Sequence, residues 1–313
     1  MSTADLFVHP ALFYSGDEAY LAGTMPFLRA GLEAGEPVAA AVPRPRLELI
    51  RDALGPDAGT VRLLDMRVAG RNPGRIIPGV LRAFADAHPG ASRVWIIGEP
   101  IWPGRSSLEY PACVQHEALI NAAFTGRGVS ILCPYDLDGL DPVVLADARA
   151  THPVLWETGR QQASPAYAPD RMIADYNQEL PAPAPETGAV ITLDFDTASL
   201  PRARASAAAE AARHGMAAQR VGDVELAVSE LAANSLTHGG GSGTLRTWAE
   251  QSLFVCEVTD SGHVTDPLAG RLPAGLSIAG GRGLLLVNHL SDLLRVHTGP
   301  AGTTFRAHFA LSA

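Results

Sequence analysis

Short apolar runs and amphipathic stretches alternate through the first half of the chain. Pro37–Pro43 (PVAAAVP), Thr60–Met66 (TVRLLDM), Arg93–Pro100 (RVWIIGEP) and Gly128–Asp136 (GVSILCPYD) are short and mostly apolar. Such runs read as strands buried on both faces of a sheet. Between them, Asp17–Ala34, Arg44–Leu54, Gly74–Ala87 and Tyr110–Thr125 have helical spacing. Strands and helices in this alternation predict a parallel sheet covered on both faces, an α/β domain.

The pattern changes after Glu179. Pro181, Pro183 and Pro185 alternate with alanine, so this stretch is extended and cannot be helical. It predicts a first domain over residues 1–180, a Pro/Ala linker over 181–187 and a second domain over 188–313. In the second part, Ala189–Asp196 reads as a strand, and Leu200–His214 and Val221–His238 as helices. GTLRTWAE and LFVCEVTDSG form an expected hairpin with Gln251 and Ser252 near its turn. A helix over Gly283–Leu290 and two closing strands follow. This order predicts helices on one face of a mixed, mostly antiparallel sheet, an α+β sandwich.

Composition narrows the function. At 47% hydrophobic and 18% charged, 313 residues can bury two real cores. A net charge of −9 argues against non-specific nucleic-acid binding. No apolar run is long enough to span a membrane, and the first residues lack the pattern of a secretory signal. Three widely spaced cysteines without a CxxC fit a reducing, cytoplasmic setting. All 24 basic residues are arginine, so neither a P-loop lysine nor a kinase strand lysine is available.

Four stretches of the second part carry candidate chemistry. In SELAANSLTHG (Ser229–Gly239), Glu230, Asn234 and His238 recur every four residues and share one helix face with Asp223, Ala227 and Thr237. A solvated face is the plain reading. A glutamate and an asparagine one turn apart also suit a divalent ion and an activated hydroxyl. EVTDSG places Asp260 at a strand end with Gly262 two residues on, which is also an ordinary turn signature. AGGRGLLLV feeds a glycine-rich loop into a helix start, where free N–H groups receive anions, or serves as a flexible connection. GTTF (Gly302–Phe305) opens the last strand.

The order of the four is more specific than any one. It resembles the nucleotide-binding boxes of the GHKL (Bergerat-fold) ATP-binding superfamily, and within it the anti-sigma-factor serine kinases of the RsbW type. The resemblance spans about 188 to 313 and implies ATP and Mg²⁺ as cofactors. It implies Glu230 as general base, Asn234 as Mg²⁺ ligand and Asp260 as reader of the adenine amino group, with Gly262 beside the ring. Gly281, Arg282, Gly283 and Leu284 match the phosphate-cradling loop and helix start, and Thr303 or Thr304 the threonine near adenine. One departure is Val264, where the family's second glycine of D-x-G-x-G belongs. It weighs toward nucleotide binding over efficient transfer. His238, followed by Gly239, suits a helix end.

The first part resembles the MEDS sensory domain, often fused to such ATPase modules in actinomycetes, through HPALFYSGDEAYLAGTMPFLRAGLEAGEPVAAAVP, VWIIGEPIWPGRSSLEYPACVQHEALIN and ILCPYD. FLRAGLEAGEPV also looks like a RecA/KaiC-type segment, while the P-loop position reads YSGDEAYLAGT without G-K-[ST]. The resemblance implies a degenerate RecA-like domain. Its signal is open. Glu109, Cys113, His116 and Glu117 fall largely on one helix face, as metal or thiol chemistry or as packed core. Trp95, Trp102 and Tyr110, near Glu99 and Arg105, line a ligand pocket or belong to the core.

Together these readings describe a cytoplasmic two-domain regulator. The leading reading is an ATP-dependent serine kinase of the anti-sigma-factor type, controlled by the first domain and acting on an anti-anti-sigma (STAS) partner. Another is a non-catalytic, nucleotide-responsive module that grips a sigma factor or adaptor, and a third is a metal or redox sensor centred on Cys113 and His116. An unidentified small ligand is expected at the first domain. Relatives of the second module often dimerise, and no residue here decides whether this chain does.

Overall fold

In the computed structural model of the protein, residues 6–157, 159–183, 188–272 and 282–311 are described. The apolar runs of the first half become the strands of one sheet. In chain order the elements are β1 (Phe7–Val8), β2 (Pro10–Tyr14), α1 (Gly16–Glu33), β3 (Val38–Val42), α2 (Arg44–Leu54), β4 (Arg62–Asp65) and α3 (Met66–Ala69). They continue with α4 (Ala83–Asp86), β5 (Val94–Gly98), α5 (Tyr110–Ala123), β6 (Val129–Asp136), α6 (Pro142–Thr151), β7 (Val154–Glu157), β8 (Arg160–Ala163) and α7 (Pro169–Asp175).

The strand order is β4-β3-β5-β6-β2-β7-β8, with β1 beside β6. Every pairing among these described strands is parallel except β7 with β8. All residues of β2 and β3 are buried, which is why their sequences are continuous rather than alternating. The stretch expected as one helix over Gly74–Ala87 is broken. It runs as a 3₁₀ turn (Pro73–Arg75), a π-helical turn (Ile77–Arg82) and the short α4. Pro78 has no N–H to donate, which removes one bond of the α-helical ladder where the π-helical turn begins. A single residue, Ser15, joins β2 to α1, so no glycine-rich phosphate loop intervenes at the P-loop position.

The second half continues with β9 (Ile191–Asp196), α8 (Leu200–Arg213), α9 (Ala218–His238), β10 (Ser242–Glu250), β11 (Leu253–Asp260), α10 (Gly283–Leu290), β12 (Leu293–Gly299) and β13 (Gly302–Ala310). Its sheet runs β12-β13-β11-β10-β9. Every pairing among its described strands is antiparallel, which corrects the expected mixed sheet. β10 and β11 form the expected hairpin, and Gln251 in its turn takes a left-handed backbone.

The three helices supply one core with the sheet. Ala207, Ala211, Val224, Val228, Leu231 and Val287 meet Phe254, Val258, Phe305 and Phe309 there. Fully burying one such Val or Leu stabilises by about 1.5–3 kcal/mol. On the other face of the sheet, buried Glu257 pairs with Arg246 on β10 (3.0 Å) and with Arg306 Nε on β13 (2.7 Å). That ladder closes only because the three residues are in register.

The chain divides into two compact units, Met1–Tyr176 and Asn177–Ala313. The division falls ahead of the proline stretch. Pro181 lies with the second unit, its carbonyl accepting from Arg306 at 2.8 Å, and 184–187 lie outside the described residues. No described helix is long and apolar enough to cross a membrane.

Candidate functional site

Helix α9 sets the site in the second unit. Val224, Ala227, Val228, Leu231, Ala232 and Ser235 are buried, so this stripe fixes the rotation of the helix against the sheet. Ala227 therefore belongs to the core and not to the polar face. Glu230 and Asn234 stand half-buried at the edge of the stripe, one turn apart, while Thr237 and His238 are exposed. Asp223 pairs with Arg220 (2.7 Å), away from them along the helix. The helix stops at Gly239, whose N–H reaches the Ser235 carbonyl (2.8 Å).

Asp260 ends β11 directly beside this helix terminus. Ser235 donates its hydroxyl to Oδ2 (2.6 Å), and the Gly262 N–H donates to Oδ1 (2.8 Å). Three glycines make the approach possible. A Cβ at Gly239 would lie 2.4 Å from the Asp260 carboxyl carbon, one at Gly262 2.4 Å from the His238 carbonyl, and one at Gly302 2.0 Å from the Asp260 carbonyl oxygen. None of these distances leaves room for a methyl group. A carboxylate offers about four acceptor positions, of which two are used, so Asp260 can still receive a ligand's N–H.

The late threonines part company. Thr303 is cross-strand partner to Asp260, is buried, and donates to the Gly262 carbonyl (2.8 Å). Thr298 joins it (3.0 Å) and also receives the Val264 N–H (3.3 Å). Thr304 faces the opposite side of the sheet, beside Thr259 (3.3 Å), because successive strand residues alternate. Val264 itself packs against the apolar core.

At the other end of the strip, α10 starts against Glu230 and Asn234. A Cβ on Gly283 would come within 2.7 Å of Glu230 Oε2 and 3.5 Å of both Asn234 amide atoms. Arg282 caps this helix start and is exposed, Leu284 packs against the apolar core, and Gly281 lies outside the described residues. Glu230, Asn234, Asp260, Gly262, Gly283 and Thr303 thus line one side of α9. Ser235, Gly239, Thr298 and Gly302 hold that arrangement and carry no signal in the sequence beyond a helix stop and a turn.

This donor set fits Mg-ATP. Asp260 presents a fixed acceptor to an amino group, glycine leaves a flat surface beside it, and the Asn234 amide oxygen is a hard ligand suited to Mg²⁺. The start of α10 brings N–H groups toward anions.

The first unit has a cleft of about 780 Å³ at the carboxyl ends of its strands, lined by Tyr14, Arg46, Glu99, Trp102 and Asp136 among others. Arg46 lies over the rings of Tyr14 (5.1 Å) and Tyr20 (4.9 Å) and pairs with Asp17 and Asp136. Burial pushes the Glu99 carboxyl up to about 8, against the opposing pull of Arg46. Trp95 packs on Phe27 instead, and Tyr110 donates to Asp147 (2.6 Å).

Arg105 gathers two of the three expected sensory residues. Its guanidinium bonds Cys113 Sγ (3.1 Å), pairs with Glu109 (3.3 Å) and lies over the Trp102 ring (4.3 Å). Burial raises the Cys113 thiol. His116 is buried on the same helix, and Glu117 turns to a different set of neighbours. Cys113, His116 and Glu109 are not gathered as a ligand group among the described residues.

No curated protein matches the chain. Residues 8–153 match the family model of the MEDS domain, the methanogen/methylotroph, DcmR sensory domain. Residues 193–309 match the histidine kinase-like ATPase domain. The first unit is thus similar to a MEDS sensory domain and the second to a histidine kinase-like ATPase domain, a pairing that supports an ATP-binding signalling regulator.

Proposed function

We propose that the protein is a cytoplasmic regulator in which the sensory domain controls an ATP-dependent serine kinase of the anti-sigma-factor type. The observation that carries this reading is the convergence on α9. Glu230 and Asn234 sit one turn apart against Gly283, and Ser235 on the same helix holds Asp260. We read the second unit as a Bergerat sandwich and the first as a RecA-like domain without a working P-loop, in keeping with the one-residue link between β2 and α1.

In this reading Asp260 holds the adenine amino group, with Gly262 and Thr303 beside it. Asn234 supplies an oxygen to Mg²⁺, and the start of α10 with Arg282 receives the phosphates. Bound Mg-ATP supplies the transferable phosphoryl group. Glu230 accepts the proton of a serine hydroxyl on an anti-anti-sigma (STAS) partner, so catalysis rests on positioning and charge neutralisation. The ligand of the sensory domain enters the cleft at Glu99 and Trp102.

The test is label transfer from γ-labelled Mg-ATP to STAS proteins encoded beside this chain. Wild type should label a serine. Glu230→Gln should abolish transfer while calorimetry shows ATP binding within about threefold of wild type. A second reading, favoured by Val264 packed at the second-glycine position, is a nucleotide-responsive binding module for a sigma factor or adaptor. Tight ATP binding by wild type with no transfer to any such partner would establish it over the kinase.

A further inference from the structure

His9, Glu117, Cys133 and His152 meet inside the first unit, outside both sites described above. His9 lies between β1 and β2, Cys133 on the neighbouring β6, and His152 at the end of α6 just before β7. Glu117 comes down from α5. All four are buried, and one ligand-type atom from each lies within 4.8 Å of the others.

Four of the six pairwise distances are those of a coordination shell. His9 Nε2 and His152 Nε2 stand 3.4 and 3.3 Å from Glu117 Oε2. Cys133 Sγ is 3.5 Å from His9 Nε2 and 3.6 Å from Glu117 Oε2. Donors about 2.0–2.3 Å from a tetrahedral zinc ion are separated from one another by roughly 3.3–3.7 Å.

The outer neighbours orient these atoms. His152 Nδ1 faces the Ala148 carbonyl at 2.8 Å, and His9 Nδ1 faces Asn121 Oδ1 at 3.1 Å. Asn121 is itself fixed, because its Nδ2 donates to the carbonyls of Thr151 (2.9 Å) and Ala118 (3.1 Å). Both partners accept, so each ring carries its proton on Nδ1 and turns the Nε2 lone pair inward, as metal-bound histidines do. His152 Nε2 and Glu117 Oε1 are buried without a hydrogen-bond partner. Lone pairs facing a carboxylate in a sealed interior call for positive charge between them.

We propose that His9, Glu117, Cys133 and His152 form a four-ligand site for a divalent cation of the zinc class. One thiolate and one carboxylate balance a dication, and the mixed N, S and O set suits zinc better than magnesium or calcium. Four protein ligands leave no position for substrate, so the ion is structural. It ties α5 and the end of α6 to β6, β2 and β7, and stabilises the sensory domain.

The experiment uses the untagged full-length chain from zinc-supplemented cells. Elemental analysis should find one zinc per chain. Replacement by Co²⁺ should give the strong visible bands of tetrahedral cobalt and a thiolate-to-cobalt charge-transfer band. That band should vanish in Cys133→Ser and persist in Cys113→Ser. Glu117→Gln should weaken zinc binding at least tenfold. Stripping wild type with a strong chelator should lower its Tm, and zinc should restore it, so the result does not depend on a variant folding. Less than about a tenth of an equivalent of zinc, a Tm indifferent to chelator and zinc, or a charge-transfer band that survives in folded Cys133→Ser overturns the proposal.

Discussion

The two units hold their polar side chains in opposite ways. In the second, Glu230 and Asn234 stand half-buried along one helix, and glycines replace every side chain that would crowd Asp260. In the first, His9, Glu117, Cys133 and His152 are sealed from solvent and face one another, with His152 Nε2 and Glu117 Oε1 left without a hydrogen-bond partner. A polar group kept for a ligand needs small neighbours and a rigid support. A sealed polar group needs a partner of compensating chemistry, because an unpaired one is costly in the interior.

The sharpest way to break this contrast is to add one methyl group to the open site. Gly302 has φ +124 and no room beside the Asp260 carbonyl. Gly302→Ala should cost on the order of 3 kcal/mol or more in the second unit, read as a lower denaturant midpoint. A wild-type midpoint would mean that the glycine approach around Asp260 is not required.

Next in size is the acceptor itself. Asp260→Ala should weaken ATP binding at least about 100-fold, near 3 kcal/mol, by calorimetry. It also strips Ser235 and the Gly262 N–H of their acceptor, so a stability loss of about 1–3 kcal/mol should accompany it. Unchanged affinity would remove Asp260 from the site.

A smaller effect tests the first unit. Free glutamate ionises near 4.5, whereas folded Glu99 keeps its proton to about 8. Between these values the unfolded chain binds fewer protons, so Glu99 makes stability fall as pH rises from about 4.5 to 8. Glu99→Gln should remove this fall, seen as a smaller difference between melting at pH 5 and at pH 8. An unchanged pH profile would show that the Glu99 carboxyl is solvated.

The smallest effect separates the two faces of β13. Thr303→Val should weaken ATP binding several-fold by removing the hydroxyl that fixes the Gly262 carbonyl, a loss of about 1 kcal/mol. Thr304→Val, on the other face, should leave affinity within about twofold. Equal effects would mean that the strand's alternation does not organise the site.

This contrast also explains what could be read in advance. Glu230 and Asn234 share a helix face one turn apart, and the order in which the motifs of Asp260 and Gly283 follow them made the set legible as a resemblance. Ser235 could not be read, because its role depends on β11 delivering Asp260 to the helix end. The sealed cluster draws on positions 9, 117, 133 and 152, which only parallel pairing of β2 with β6 and β7 brings together. No periodicity records that. Along α5 the visible signal covered Glu109, Cys113, His116 and Glu117, and of these only Glu117 joins the cluster. Strands β3 to β6 were legible as apolar runs. β2 was not, since Pro10 opens it and its run, PALFY, carries none of the β-branched residues that mark β3 and β5.

The anchoring of Asp260 bears on which base the site accepts. One oxygen is held by Ser235 and the other by the Gly262 N–H, so the carboxylate cannot turn to suit a different edge. A guanine in the same place would present a carbonyl where adenine presents an amino group, aiming oxygen at fixed oxygen. If Asp260 reads the base as proposed, discrimination between purines comes from repulsion built into the fold, before any other contact is made.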